Sequence, residues 1–136
     1  MDYSTSMAVA AAGMRAQSDR MKVIAENIAN ANSTSAVVGG DPYRRQIATV
    51  TSDFDRSLNA TVVNAGTPLQ DQSPFRTQYD PGNPAADKQG YVKLPNVNSL
   101  VEIMDMREAQ RSYEADLTVM DATKTMLART VDLLNK

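Results

Sequence analysis

Apolar residues recur with helical spacing in the first quarter of the chain. One series comes every seven residues, and a companion series lies between its members. The first is Met7, Met14, Met21 and Ile28, and the second is Ala10, Gln17, Ile24 and Ala31. This spacing predicts an amphipathic helix over about residues 4–31 with a narrow apolar seam. The small residues 10–13 favour close approach of another helix. The polar run Asn30–Thr34 predicts the helix end, because Asn, Ser and Thr compete for backbone hydrogen bonds.

A longer helical pattern fills the last part of the chain. Alternating steps of three and four residues from Ile103 give a seam in which eight of ten positions are apolar. The seam is Ile103, Met106, Gln110, Tyr113, Leu117, Met120, Lys124, Leu127, Val131 and Leu134. Just before it, Ser99 and Glu102 form the S-x-x-E pattern of a capping box. The sequence therefore predicts a helix that begins at Ser99.

The length of this second helix predicts that its seam reaches beyond one chain. A helix from Ser99 to Asn135 is about 55 Å long at about 1.5 Å per residue. A compact chain of this size is only about 37 Å across. No proline or glycine offers a kink within residues 99–135. We therefore expect an elongated protein whose terminal helices pack side by side and against other chains.

Proline and glycine are concentrated between the two helical segments. All six prolines lie within residues 42–95, and five of the six glycines lie within residues 39–90. The runs Tyr43–Ser52 and Ala60–Ala65 are rich in β-branched residues and predict strands, with residues 74–79 and 90–94 as candidate partner strands. The predicted fold class is mostly α with a small β part, in which paired, coiled-coil-like terminal helices flank a Pro/Gly-rich β and loop subdomain. The predicted segments are an N-terminal assembly helix (1–32), a central subdomain (33–98) and a C-terminal assembly helix (99–136).

The composition argues against several classes of function. The 14 basic residues nearly balance 16 acidic ones, and Arg44-Arg45 is the only basic doublet, so nothing favours nucleic-acid binding. Cysteine and histidine are absent, which removes thiol chemistry and the commonest general base and metal ligand. We therefore expect no enzyme and no cofactor. The most apolar run, Met7–Met14, is far shorter than the roughly 20 residues that cross a bilayer. Asp2 stands where a signal peptide carries positive charge.

The loop Gln78–Leu100, just before the long helix, suggests either a metal site or a joint. Its acidic and amide side chains resemble calcium ligands, but their spacing does not fit an EF-hand. The four residues Asp80–Asn83 suit a β-turn instead, with Pro81 fixing φ at the second position and Gly82 free to take a positive φ. We interpret the loop as a stiff joint between the β part and the helix.

Two further stretches suggest chemistry more weakly. Val37–Pro42 contains two glycines but lacks the following Gly-Lys-Ser/Thr of a phosphate-binding loop, so a flexible turn is the simpler interpretation. Asp53 and Asp55 form a close carboxylate pair, but the sequence offers no catalytic partner for them. We predict no catalytic and no metal site.

Two motifs resemble those of a known family. The run AENIANANST (Ala25–Thr34) resembles the Asn-rich signature of bacterial flagellar rod and hook proteins. The run YDPGNPAADKQGYVKLPNVN (Tyr79–Asn98), followed by a long helix with RSYEA (Arg111–Ala115), is similar to the proximal-rod members. The motif residues are Asn27, Asn30, Asn32, Pro81, Gly82, Asn83, Pro84, Gly90, Tyr91, Pro95 and Asn96. Family members commonly carry Asn where Asp116 stands and Met where Leu94 stands.

The resemblance implies a structural, non-enzymatic subunit of the proximal rod, the shaft that crosses the periplasm and transmits motor torque. The implied partners are copies of the chain, rod proteins of the FlgB, FlgF and FlgG types, and the basal-body adaptor FliE. The resemblance also implies passage through the flagellar type III export apparatus without a cleaved signal peptide, and no nucleic acid or membrane insertion. A helical adaptor or chaperone-like protein that binds one partner helix is the alternative.

The two seams together give the predicted assembly interface. Its residues are Met7, Met14, Met21, Ile24, Ile28, Ile103, Met106, Tyr113, Leu117, Met120, Leu127, Val131 and Leu134. We expect some of the contacts within one chain and others between subunits. Burial of each large apolar side chain contributes about 1.5–3 kcal/mol.

Overall fold

The computed structural model describes residues 2–134 of the chain. The order of elements is α1 (Tyr3–Ala29), β1 (Gln46–Ile47), β2 (Val50–Asp55), β3 (Ala60–Ala65), β4 (Leu69–Gln70), β5 (Arg76–Tyr79), β6 (Tyr91–Leu94) and α2 (Ser99–Leu134). The predicted fold class is confirmed, with a long helix at each end of the chain and a small β region between them. Met1, Asn135 and Lys136 belong to the predicted terminal segments and lie outside the described residues.

Helix α1 ends where the polar run predicts. Its last residue is Ala29, and the side chains that follow donate to backbone carbonyl oxygens at the helix end. The amide of Asn30 donates to the carbonyl oxygen of Glu26 at 2.9 Å, and the hydroxyl of Ser33 donates to the carbonyl oxygen of Asn30 at 2.9 Å. The same two carbonyl oxygens also accept backbone N–H groups, from Asn30 and from Ser33, each at 3.1 Å, so the side chains add to the bonds of the closing turns.

Helix α2 begins at the predicted residue, but its cap differs from the prediction. The side chain of Asn98 accepts the N–H of Leu100 at 3.1 Å, so Asn98 is the N-cap and Ser99 is already inside the helix. The carboxylate of Glu102 binds Asn27 and Arg45 instead of turning back to the start of α2. The predicted capping box is therefore wrong, because Glu102 is buried and binds a guanidinium.

The strands form three antiparallel pairs, β1 with β4, β2 with β3 and β5 with β6. The pairing of β5 with β6 confirms that residues 74–79 and 90–94 contain partner strands. The predicted strand Tyr43–Ser52 is divided between β1 and β2, and β4 has no counterpart in the prediction. In the β2–β3 hairpin the turn is held by Asp55, whose carboxylate accepts the N–H of Ser57 at 2.8 Å.

The chain divides into two compact units. Unit 1 contains the described residues of Met1–Met21, Thr49–Thr67 and Arg107–Lys136, and unit 2 contains Lys22–Ala48 and Pro68–Met106. Each unit therefore takes part of α1, part of α2 and part of the β region. The predicted division into segments 1–32, 33–98 and 99–136 follows position along the chain and stays a prediction.

Within unit 1, α1 and α2 run antiparallel and approach closely. Arg20 forms an ion pair with Glu108 at 3.3 Å. A Cβ atom on Gly13 would lie 2.6 Å from Oδ2 of Asp116. This contact confirms that the small residues 10–13 allow close approach. Ala10, Ala12, Ala16 and Ala109 are all buried, as small side chains are at a close helix contact.

Candidate functional site

The predicted seam of α1 lies at the edge of its buried face. Of its five interface residues Ile24 is buried, whereas Met7, Met14, Met21 and Ile28 are half-buried. The most buried residues of α1 are Ala10, Ala12, Ala16, Val23, Ile24 and Asn27. The contact face is thus broader than the predicted seam and consists mainly of small side chains.

Two of the ten predicted seam positions of α2, Tyr113 and Met120, line a cavity with α1 in unit 1. Met14, Tyr113 and Met120 line one cavity of about 290 Å³ together with Ala11, Arg15 and Ser18. Met106, in unit 2, is half-buried. The structure thus brings Met14, Tyr113 and Met120 together.

Five of the eight apolar positions in the α2 seam stay uncovered. Ile103, Leu117, Leu127, Val131 and Leu134 are all exposed. In unit 1 the buried positions are Ala109 and Thr123, with Asp116 half-buried between them. Each of these three residues comes directly before a position of the predicted seam. One residue is about 100° around a helix, so the seam is turned partly away from α1.

The end of α2 extends beyond the partner helix. Gly13 lies opposite Asp116, and Arg20 lies opposite Glu108, so residue numbers rise along α1 as they fall along α2. Continued to Tyr3, the first residue of α1, this pairing reaches about residue 126 of α2. Leu127, Val131 and Leu134 follow that point and have no α1 residue opposite them. In all, seven large apolar side chains of α2 in unit 1 are exposed, before and after that point: Leu117, Val119, Met126, Leu127, Val131, Leu133 and Leu134.

Unit 2 contains a buried polar junction, the residues Asn27, Tyr43, Arg45, Gln46 and Glu102. Asn27 is 1% exposed, and all four of its hydrogen-bonding positions are used. Its Oδ1 accepts the hydroxyl of Tyr43 at 2.8 Å and the N–H of Gln46 at 2.9 Å. Its Nδ2 donates to the carbonyl oxygen of Gln46 at 2.7 Å and to Glu102 at 3.0 Å. An asparagine fits here because no other residue of this size offers two donors and two acceptors.

The carboxylate of Glu102 is the buried charge of this junction. It is 1% exposed and accepts Nε of Arg45 at 2.5 Å as well as the amide of Asn27. Burial lowers the pKa of Arg45, but Glu102 and then Asp71 outweigh burial, so the pKa of the guanidinium is raised. The pKa of Tyr43 is also raised, first by burial and then by the charges of Glu26 and Glu102. The junction therefore holds the end of α1 and the start of α2 to the intervening chain.

Asn96 and the arginines connect the rest of unit 2 to this junction. Oδ1 of Asn96 accepts the N–H of Arg45 at 2.8 Å, and its amide donates to the carbonyl oxygen of Asp71 at 3.0 Å. Arg76 donates to the carbonyl oxygens of Pro95 and Ala31, both at 3.2 Å. The motif residues Asn27, Pro95 and Asn96 are thus brought together, although they are far apart in sequence. The basic doublet was visible in the sequence, but its partner Glu102 was not.

The loop before β6 is built on turns. The N–H of Asn83 donates to the carbonyl oxygen of Asp80 at 3.2 Å, which confirms the predicted β-turn. The positive φ belongs to Gly90, at 87°, and not to Gly82 as the sequence suggested. A Cβ on Gly90 would lie 2.8 Å from the ring of Tyr79, which contacts Tyr91 edge to face. Glycine is therefore required at position 90.

The acidic residues of this loop bind backbone groups. Asp87 accepts the N–H of Gln89 at 2.8 Å and that of Tyr91 at 3.0 Å, and the bonds from Tyr91 and Gln89 lower its pKa. Asn83 accepts the N–H of Ala85 at 3.0 Å. The remaining motif residues Asn30, Asn32, Pro81 and Pro84 lie around the helix end and these turns. Within residues 2–134, no group of three or more His, Cys, Asp or Glu is placed to hold a metal ion.

Comparison with known proteins identifies the family. Residues 7–35 match the family described as "Flagella basal body rod protein". Residues 88–133 match the family described as "Flagellar basal body rod FlgEFG protein C-terminal". The first match covers most of α1, and the second covers β6 and nearly all of α2.

Curated relatives extend this similarity to nearly the whole chain. "Flagellar basal-body rod protein FlgC" of Agrobacterium fabrum is 47% identical over 131 residues, which is 96% of this chain and 94% of the relative. The proteins of the same name from Salmonella typhimurium and Bacillus subtilis are 36% and 37% identical, over 92% and 94% of this chain and 92% and 95% of their own lengths. The chain belongs to the FlgC family of flagellar basal-body rod proteins.

Membership in the FlgC family makes this chain a structural subunit of the rod of the flagellar basal body. The resemblance found in the two motifs is thereby confirmed. Among the described residues, no helix is long and apolar enough to cross a membrane. In a structural subunit the functional surfaces are those that contact other subunits, so the uncovered faces of the helices are the candidate site.

Proposed function

We propose that this chain builds the proximal part of the rod by packing the exposed apolar residues of α2 against neighbouring subunits. The neighbours are further copies of the chain and rod proteins of the FlgB, FlgF and FlgG types, with the adaptor FliE at the base. The assembled shaft crosses the periplasm and transmits motor torque. The subunit performs no catalysis and reaches the rod through the flagellar type III export apparatus without a cleaved signal peptide.

The uncovered face of α2 carries this proposal. Leu133 and Leu134 are 74% and 81% exposed, and Leu117, Met126 and Val131 lie on the same helix in unit 1 with 40–53% of their surface exposed. Leu117, Leu127, Val131 and Leu134 lie within about 100° of one another around α2, at about 100° per residue, and so share one side of the helix. Exposed apolar surface of this kind marks protein interaction sites. Covering each of these side chains contributes up to about 1.5–3 kcal/mol, so several together stabilise a subunit contact.

Charged substitutions on this face test the proposal. Leu117→Asp and Leu127→Asp are expected to abolish swimming and incorporation into isolated basal bodies, because each places a charge in the interface. The stability of the purified chain should not change, since both residues are exposed. Leu117→Met and Leu127→Met are the matched controls, and they should swim normally because they keep the apolar surface and volume. Normal swimming by both aspartate variants would contradict the proposal.

A further inference from the structure

An open groove in unit 1 is lined by both helices and the β2–β3 hairpin. It has a volume of about 370 Å³, and Val9, Ala10, Val63 and Val119 supply its apolar walls. Val50 and Phe54 lie on the same face of the hairpin as Val63, because side chains alternate along paired strands, and both are exposed. The groove therefore continues onto an uncovered apolar surface.

Two oxygen acceptors line this groove without a donor. Oε1 of Gln17 is buried and has no hydrogen-bond partner. The carboxylate of Asp116 packs against Gly13 and takes part in none of the hydrogen bonds or ion pairs within residues 2–134. Of the two, Oε1 of Gln17 is buried, and a buried acceptor that has lost water and gained no donor destabilises the state that contains it, whereas Asp116 is only half-buried. The groove consequently favours an incoming group that is rich in N–H donors.

We propose that this groove binds an arginine side chain from a second copy of the chain. The aliphatic stem of an arginine suits the walls of Val9, Val63 and Val119, and its guanidinium offers five donors to Gln17 and Asp116. The negative charge of Asp116 is complementary to that guanidinium. The inference rests on the proposed function, because it names one contact in the proposed subunit interface.

The donors are available on the outer face of α2. Arg107, Arg111 and Arg129 are exposed and belong to unit 1. Within residues 2–134 the cations that form ion pairs are Arg20, Arg45 and Lys93. The three exposed arginines of α2 are not among them. Arg111 lies about 200° around α2 from the fully buried Ala109, at about 100° per residue. Arg129 follows Arg111 by five turns and points the same way.

The positions of groove and arginines define the kind of contact. Where each copy gives its arginine to the next copy and receives one from the copy before, the contact is heterologous. Heterologous contacts that do not close into a ring produce open helical arrays. This geometry fits a subunit of a shaft better than a closed dimer.

Cross-linking in isolated basal bodies tests the contact. The chain has no cysteine, so single introduced cysteines report unambiguously. Two differently tagged forms are expressed together, one with Val63→Cys at the groove and the other with Gln110→Cys or Ala128→Cys beside the arginines. A short bismaleimide should join the two forms through at least one of these positions. Ser57→Cys at the exposed hairpin turn is the matched control and should give no such product.

The expected effects separate this contact from rod assembly in general. Asp116→Asn keeps the shape but removes the charge, and the cross-link yield should fall severalfold. Gln17→Leu should raise the melting temperature of the purified chain by about 3 °C or more, because it removes the unpaired acceptor, and should also lower the cross-link yield. Assembled rods in which the Val63→Cys form is joined through neither arginine face, or is joined to a different rod protein, would overturn the inference and leave the proposed function intact. Absence of the chain from basal bodies would instead contradict the proposed function.

Discussion

The two compact units differ in how their buried polar groups find partners. In unit 2, Asn27 uses all four of its hydrogen-bonding positions, and the buried carboxylate of Glu102 binds both an amide and a guanidinium. In unit 1, the buried oxygen of Gln17 has no donor. Exposed large apolar side chains occur on α2 in both units, seven of them in unit 1 and four (Leu100, Val101, Ile103 and Met104) in unit 2. Both units contain the same two helices, so the difference lies in what each helix segment faces.

This difference shows which contacts belong to the single chain. Unit 2 satisfies its buried groups internally, so its stability is a property of the monomer. Unit 1 combines exposed apolar surface with a buried acceptor that has no donor, so part of its stability arises only on assembly. A substitution should therefore affect monomer stability in unit 2 and rod assembly in unit 1.

The largest expected effect is that of Arg45→Met in unit 2. It leaves the carboxylate of Glu102 buried without its guanidinium, and removing one partner of a buried pair costs about 3–5 kcal/mol. We expect a loss of about 3 kcal/mol, because Arg45 is partly exposed, measured by urea unfolding of the purified chain. The control in unit 1 is Met126→Lys at an exposed position, which should change the free energy of unfolding by less than about 0.5 kcal/mol. Equal effects of the two would remove the distinction between the units.

A smaller loss is expected for Gly90→Ala, also in unit 2. The new methyl group meets the ring of Tyr79, and alanine disfavours the positive φ of this position. We expect the free energy of unfolding to fall by about 2 kcal/mol. Gly82→Ala is the matched control in the same loop, where the nearest atom to a new Cβ is 3.7 Å away and φ is not positive. If both variants have the stability of the parent chain, the loop is not fixed as described.

The corresponding substitution in unit 1, Gly13→Ala, should change monomer stability less. Its new Cβ would displace the carboxylate of Asp116, which is a movable side-chain end. Alanine inside a helix gains about 1 kcal/mol over glycine, which offsets the displacement. The free energy of unfolding should therefore stay within about 1 kcal/mol of the parent, by the same urea measurement. A loss of unfolding free energy as large as that of Gly90→Ala would show that the packing around Gly13 is as rigid as the packing around Gly90.

The smallest effect is a dependence of unit 2 on acid. Backbone hydrogen bonds hold the pKa of Asp71 and Asp87 below the ordinary value of 3.8, from Ser73 for Asp71 and from Tyr91 and Gln89 for Asp87. The unfolded chain therefore takes up protons first as the pH falls, so stability present above pH 3.8 is lost below it. The urea midpoint should be constant between pH 7 and 5 and should decrease below about pH 4. Asp71→Asn should reduce that decrease, and an unchanged pH profile would contradict the assignment.

Local patterns predicted the elements well because their causes are local. Neighbouring residues determine where α1 ends, at Ala29, and where α2 begins, at Ser99. They also determine the β5–β6 pair and the turn at Asp80. The buried side of α2 was predicted one residue off in part. Asp116 is half-buried against α1 and Leu117 is exposed, and only the packed partner decides which of the two positions is covered. That partner is Gly13 of α1, whose lack of a side chain leaves room for the carboxylate of Asp116.

The buried junction was beyond prediction for a different reason. Glu102 looks like a capping residue in sequence, and its real partners Asn27 and Arg45 are 75 and 57 positions away. Such a pair depends on the tertiary fold, which no local pattern specifies. The family motif indicated Asn27 and Asn96 but gave no role for either. The structure supplies that role as hydrogen bonding between the two helices and the intervening chain.

Amide hydrogen exchange of the purified chain, compared with isolated basal bodies, tests the central claim most directly. In the purified chain, the amides of α2 residues 107–134 should exchange at least about 100-fold faster than those of buried unit 2 residues such as Asn27 and Val92. The reason is that local opening of residues 107–134 exposes little additional apolar surface. In basal bodies the exchange of residues 107–134 should slow to the rate of unit 2. Equal protection of both units in the purified chain, with no change on assembly, would contradict the claim that unit 1 is completed by neighbouring subunits.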